Sequence, residues 1–289
     1  MWFWYALGSA LVGAVVMILS KMALKKVSAS LLTWSLFALP LPFLALLSLS
    51  SRPQSIRPAF WTGTFLSALV FVFSKTLSNH SIKNNQLSKI MPLNNLGSIF
   101  TYIFGLILIS ETVKPLSLLG IFVTVFGTYL LNVETAREGL LQPLKILVKD
   151  KGSFIFIAAV VLSSLSGIFD KIGLKGVDPE NPALALLSES FFMTVFLTVY
   201  LARTEKGWLK DLKNNLAVLL IISLIYTLSS YLIFSGFLGG PVALVLTVKR
   251  LQIFFVLTLG YIFLKDKPPK HAWIATAVML AGVLLIKLA

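Results

Sequence analysis

Apolar stretches about as long as a bilayer-spanning helix recur along the whole chain, and no separating segment is long enough to fold as a soluble domain. A stretch of that length either crosses ~30 Å of hydrocarbon or lies inside a very large dry core. Charge decides between the two. Only 12% of the residues are charged and 57% are hydrophobic, whereas a soluble domain carries about 25% charged residues. The stretches run over 2–20, 31–50, 59–78, 86–109, 115–132, 153–173, 183–202, 216–236, 241–264 and 270–288. Their separators hold turn and interfacial residues such as Lys25-Lys26, Arg52-Pro53, Gly239-Gly240-Pro241 and Lys267-Pro268-Pro269. The pattern predicts an all-α integral membrane protein with ten transmembrane helices. Met1-Trp2-Phe3-Trp4-Tyr5 has no positive region and no small-residue cleavage site, so it reads as the aromatic start of a retained helix.

The chain repeats itself. Gly105-x5-Glu111 and Gly260-x5-Asp266 lie 155 residues apart, as do Gly127 and Gly282. Ser20-Lys21-x-x-Leu24-Lys25 matches Asp170-Lys171-x-x-Leu174-Lys175 at a shift of 150. Five spans is an odd number, so the second copy must enter the membrane with the opposite orientation. The expected organisation is a five-helix repeat over 1–132, an amphipathic linker over 133–152 and an inverted five-helix repeat over 153–289. Inverted repeats place a binding site near the bilayer midplane, where the halves meet.

The net charge of +14 does not form a nucleic-acid face, because the basic residues fall between apolar stretches, where they suit anionic headgroups. Their distribution would put both termini outside by the positive-inside rule. The chain has no cysteine, and its two histidines, His80 and His271, are far apart, so neither a metal site nor a cofactor is expected. The expected partners are a small-molecule substrate, membrane lipids and a second copy in a homodimer.

Lys249 and Arg250 carry the strongest functional signal. They stand side by side inside 242–264, roughly 12–14 Å along the helix at 1.5 Å per residue. Each costs about 2.5–3.5 kcal/mol near the middle of a membrane helix, so a counter-charge, a hydrated cavity or an anionic ligand must offset it. Arg250 would offer a bidentate fork and Lys249 a point charge to a carboxylate or phosphate. The alternative is ion pairing with Glu189 or Asp170. Under the 155 shift Asn94 and Asn95 fall on the two cations, behind Pro92, which would open the backbone ladder toward a cavity. Lys89 either faces that cavity or snorkels to the interface. Glu189 is the acidic residue deepest in an apolar stretch, and its carboxylate is suited to proton coupling or to a counter-ion role. Glu111 and Asp266 read as end caps or inter-helix locks. Tyr226, Tyr231, Trp34 and Phe191 are candidates for cavity walls or for ordinary core packing.

Lys89-Ile90-Met91-Pro92, the Gly105-to-Glu111 run, Gly120 and Gly127, with Asp170-Lys171, Gly260 to Asp266 and Gly282 in the second copy, resemble the EamA type of the drug/metabolite transporter superfamily. The resemblance covers the chain and implies a ten-helix carrier working by alternating access, with cytoplasmic termini. Thr247 stands where Pro92 stands in the first copy. A narrower likeness joins Lys89, Tyr226, Lys249 and Arg250 to sugar-phosphate translocators, in which such positions bind the substrate phosphate. The third-helix histidine of that branch is absent.

These readings converge on a secondary transporter of a small anionic metabolite, phosphorylated or carboxylated, and not on an enzyme. The substrate-binding set is Lys249, Arg250, Lys89, Asn94, Asn95 and Tyr226, with Glu189 and Asp170 as coupling or counter-ion groups. An exporter of amino acids or neutral metabolites, with both cations in structural ion pairs, is the alternative. An intramembrane enzyme acting on lipid-linked substrates is more remote, because no nucleophile–base pair or paired carboxylates stand out in the sequence. Lack of a transit peptide favours a prokaryotic cell membrane.

Overall fold

The computed structural model describes residues 1–49, 52–84, 93, 96–130, 151–264 and 270–289. Within them the chain forms α1 (Trp2–Ala23), α2 (Ala29–Ala38), α3 (Leu41–Ser48), α4 (Pro58–Asn84), α5 (Gly97–Ile109) and α6 (Pro115–Leu130). The second half forms α7 (Lys151–Lys175), α8 (Pro182–Thr204), α9 (Trp208–Gly239), α10 (Val242–Lys249), α11 (Gln252–Leu264) and α12 (Lys270–Leu288). Two short segments, β1 (Ser55–Ile56) and β2 (Val177–Asp178), pair antiparallel, Ser55 opposite Asp178. The architecture is all-α. Among the described residues seven helical stretches are long and apolar enough to cross a membrane, and α5 and α6 are shorter apolar helices. The amphipathic linker expected over 133–152 lies outside the described residues as far as residue 150, and Lys151 already begins α7.

Two expected single helices are broken. In 31–50 the break falls at Leu39-Pro40, because Pro40 has no N–H to donate and its ring crowds the preceding turn. In 241–264 it falls at Arg250-Leu251, where no proline stands. There the chain tightens: the Arg250 N–H donates to the Thr247 carbonyl at 3.1 Å and the Leu251 N–H to the Val248 carbonyl at 3.0 Å, three residues back instead of four. The 59–78 stretch behaves in the opposite way, as α4 continues through its polar end to Asn84.

The halves interleave. The helices α1 and α9 pack together, as do α4 and α7; α6 pairs with α12, and α2 packs on α8. The main apolar core draws on both halves, with Ala6, Phe60, Ile168, Val245 and Met279 all buried. Small residues permit the closest approaches. A Cβ on Gly63 would stand 2.4 Å from the Gly173 nitrogen, and one on Gly282 would stand 2.6 Å from the Thr124 nitrogen. In an apolar solvent such backbone contact is a principal source of helix association. Capping crosses between halves too. Ser28 accepts the Leu31 N–H at 3.1 Å and donates to Glu205 at 2.5 Å. Asn181 accepts the Leu184 N–H at 3.0 Å and donates to the Ser48 carbonyl at 3.0 Å.

Candidate functional site

The broken turn after α10 decides where its two cations go. Lys249 is the last residue of α10 and lines a cavity of about 210 Å³ bounded by α2, α3, α4, α7, α8, α9 and α10. Arg250 follows at the cap and turns toward α5. Its Nε donates to Ser98 Oγ at 2.6 Å, and its guanidinium lies against Gly97. Adjacent helical residues point ~100° apart, and here that angle separates the pair. Arg250 does not line the cavity.

Two carboxyls share that cavity with Lys249: Asp170 on α7 and Glu189 on α8 both line it. Ser67 on α4 ties them together. Its hydroxyl donates to Asp170 Oδ1, stands 3.3 Å from Glu189 Oε1 and meets Ser166 Oγ at 2.9 Å. Lys249 attracts Asp170 through space, yet among the described residues it makes no contact ion pair with either carboxyl. The ion pairs with Lys249 and Arg250 that the alternative reading required are therefore not formed with Asp170 or Glu189.

Tyr226 lines the same cavity from α9, with its ring edge-on to Phe37 at 5.6 Å. The other aromatic candidates lie elsewhere. The indole N–H of Trp34 donates to Thr198 Oγ1 at 2.7 Å, Tyr231 packs against the main core, and Phe191 is exposed on the outside of the bundle. Lys89, Pro92, Asn94, Asn95, Lys265 and Asp266 lie outside the described residues.

A second cluster of charge sits one residue beyond Asp170. Lys171 Nζ donates to Glu111 Oε1 and to the Gly240 carbonyl, the latter at 2.7 Å. The other Glu111 oxygen accepts the Val242 N–H at 2.8 Å, at the start of α10. The Gly105-x5-Glu111 motif has a local cause. Ser110 adopts a left-handed conformation at φ 53°, and the Gly105 carbonyl accepts the Ser110 N–H and also that of Glu111 at 2.9 Å. The chain thus folds back over the end of α5 and aims Glu111 inward. Glu111 is an inter-helix lock joining α5, α7 and α10, and Lys171 is its buried partner.

Sequence reasoning missed Ser67 and Ser166, since a serine among apolar residues gives no sign of which carboxyl it will meet. The Lys171–Glu111 pairing was equally hidden, although both residues stood out singly.

The model of the EamA-like transporter family matches residues 1–133 and again residues 150–288. A search of curated proteins gives no match. A solved crystal structure, described only as that of a protein, is similar at a TM-score of 0.72 over 98% of this chain and 96% of its own, with 13% identity. At that identity the likeness carries the fold alone.

Proposed function

The chain belongs to the EamA-like transporter family, a family of multi-pass membrane proteins, and from that premise we propose that it is a secondary carrier for a small zwitterionic metabolite. Ten spans in two inverted five-helix repeats form the carrier. The family match in two copies supports this, as does the reciprocal packing, in which the first span of each copy lies on the third of the other. The cavity between the copies alternates its access. Glu111 and Lys171 belong to different copies, so their pair is a contact that changes when the copies move against each other.

The observation that carries the substrate class is the presence of both signs of charge in the lining of one cavity. Lys249 meets a solute carboxylate, while Asp170 and Glu189 meet an ammonium. Tyr226 and Phe37 supply an apolar wall. At about 210 Å³ the cavity is smaller than the ~300–1,000 Å³ of drug-sized sites, which fits a metabolite of amino-acid size. A purely anionic solute, phosphorylated or not, would meet the two carboxyls with Lys249 alone in its favour among the described residues, because Arg250 does not line the cavity. No covalent chemistry is assigned to the site.

The test is a thermal-shift screen of the purified protein against zwitterionic, carboxylated and phosphorylated metabolites. A ligand at 100 times its Kd stabilises by about 2.7 kcal/mol. The expected result is stabilisation by zwitterions that is sharply reduced in Lys249→Ala. Stabilisation by phosphorylated compounds alone would replace this reading with the anion carrier.

A further inference from the structure

The Asp170–Glu189 pair asks for more than a role as counter-charge. Both carboxyls crowd one hydroxyl, that of Ser67, which has a single proton to donate, and two like charges brought that close in one cavity favour keeping a proton on one of them. The neighbours that bear on the pair's charge can be named, beside the hydroxyls of Ser163, Ser190, Thr227 and Ser230 in the cavity wall. From α4 comes Ser67, whose single proton goes to Asp170. From α7 comes Ser166, already hydrogen-bonded to Ser67, while Lys171 on the same helix is turned away to Glu111. From α9 comes Tyr226 and from α10 comes Lys249, which makes no contact ion pair among the described residues. The segments α2 and α3 present only Leu36, Phe37 and Leu44 to the cavity. Nothing among the described residues neutralises both carboxylates at once.

We propose that Asp170 and Glu189 together form a proton-binding site that couples transport to the proton gradient. One proton sits between the two carboxyls, donated by one to the other, and Ser67 holds them in register. With that proton bound, the described residues of the empty cavity hold one carboxylate and one ammonium and sum to zero charge. When the proton leaves for the water of the open side, two carboxylates face one ammonium. The cavity then carries a net negative charge that is costly to move across hydrocarbon. Proton occupancy therefore alters the ease of reorientation, which is the property a coupling site needs. The placement also suits exchange with water, because both carboxyls border the solute cavity. The coupling half of the proposal rests on the carrier reading above; the shared proton does not.

Infrared difference spectroscopy on the purified full chain tests the shared proton without any solute. Between mildly acidic and alkaline buffer the wild type is expected to lose one protonated-carboxyl C=O band. Glu189→Gln and Asp170→Asn should each remove that band. Ser67→Ala should keep it at a changed frequency, because one donated hydrogen bond is gone. No band in the wild type, or a band that survives in both amide variants, overturns the site. Monodisperse elution of each variant guards against misfolding. Coupling is then read in proteoliposomes with L-alanine as the zwitterionic probe. For one coupled proton, a gradient of about one pH unit changes the steady-state ratio of the probe by about tenfold, and Glu189→Gln should remove that response. A gradient response unchanged in Glu189→Gln overturns the coupling. Absence of any L-alanine movement with the infrared band in place overturns the zwitterion-carrier reading and leaves the proton site standing.

Discussion

Asp170 and Lys171 are neighbours on α7 and live in opposite circumstances. Lys171 is clasped: Glu111, the Gly240 carbonyl and the first turn of α10 form a closed set around one buried ion pair. Asp170 is open: it shares the Ser67 hydroxyl with a second acid, and Lys249, in the same cavity, makes no contact ion pair with it. One turn of helix thus presents a completed electrostatic contact on one face and an incomplete one on another. A completed pair holds helices together, whereas an incomplete one leaves room for something that comes and goes.

The largest expected effect comes from breaking the clasp. Lys171→Ala leaves the Glu111 carboxylate buried without its partner and is expected to destabilise the protein by about 3–5 kcal/mol, read by thermal unfolding in detergent. Replacing both partners with apolar residues of similar size should recover most of that loss, and failure to recover would mean the contact is not a simple pair. Overpacking comes next. Gly63→Leu, against the Gly173 backbone, should cost about 1–3 kcal/mol in the same assay, and a neutral result would argue against the close approach of α4 and α7. Lys249→Ala sharpens the contrast directly. With no contact partner to orphan, it should leave the melting temperature near wild type while weakening zwitterion binding about tenfold to a hundredfold, as loss of a charged hydrogen bond of about 1.5–3 kcal/mol implies. A large loss of stability without solute would instead place Lys249 with Lys171 among the structural charges. The smallest effect is at the cross-repeat cap: Ser28→Ala should cost about 1 kcal/mol and release Glu205, with no change in ligand affinity.

The same contrast governs what could be read from the chain. Depth in an apolar stretch was enough to single out Lys249, Arg250 and Glu189, because an ionisable group there must be offset by something. The family followed from glycines, Glu111 and their recurrence 155 residues later. Partnership was another matter. That Arg250 would serve Ser98, that Ser67 would bridge two acids, and that Glu111 would find Lys171 depend on which helix faces which. The interruption at Arg250-Leu251 was invisible for a related reason: no proline marks it, and the tightened turn is held only by its surroundings.

Apolar length and sparse charge determined that the chain forms apolar helices, because the cost of leaving a backbone group unpaired in hydrocarbon admits little else, and the recurrence of its motifs sorted those helices into two related sets. Tertiary structure alone decided which charges are satisfied and which are left facing the cavity. Helices that are apolar on every side carry no stripe to say which face will meet a neighbour, so burial cannot orient them in advance. That choice is made by backbone approaches such as Gly63 against Gly173, between residues far apart in the chain.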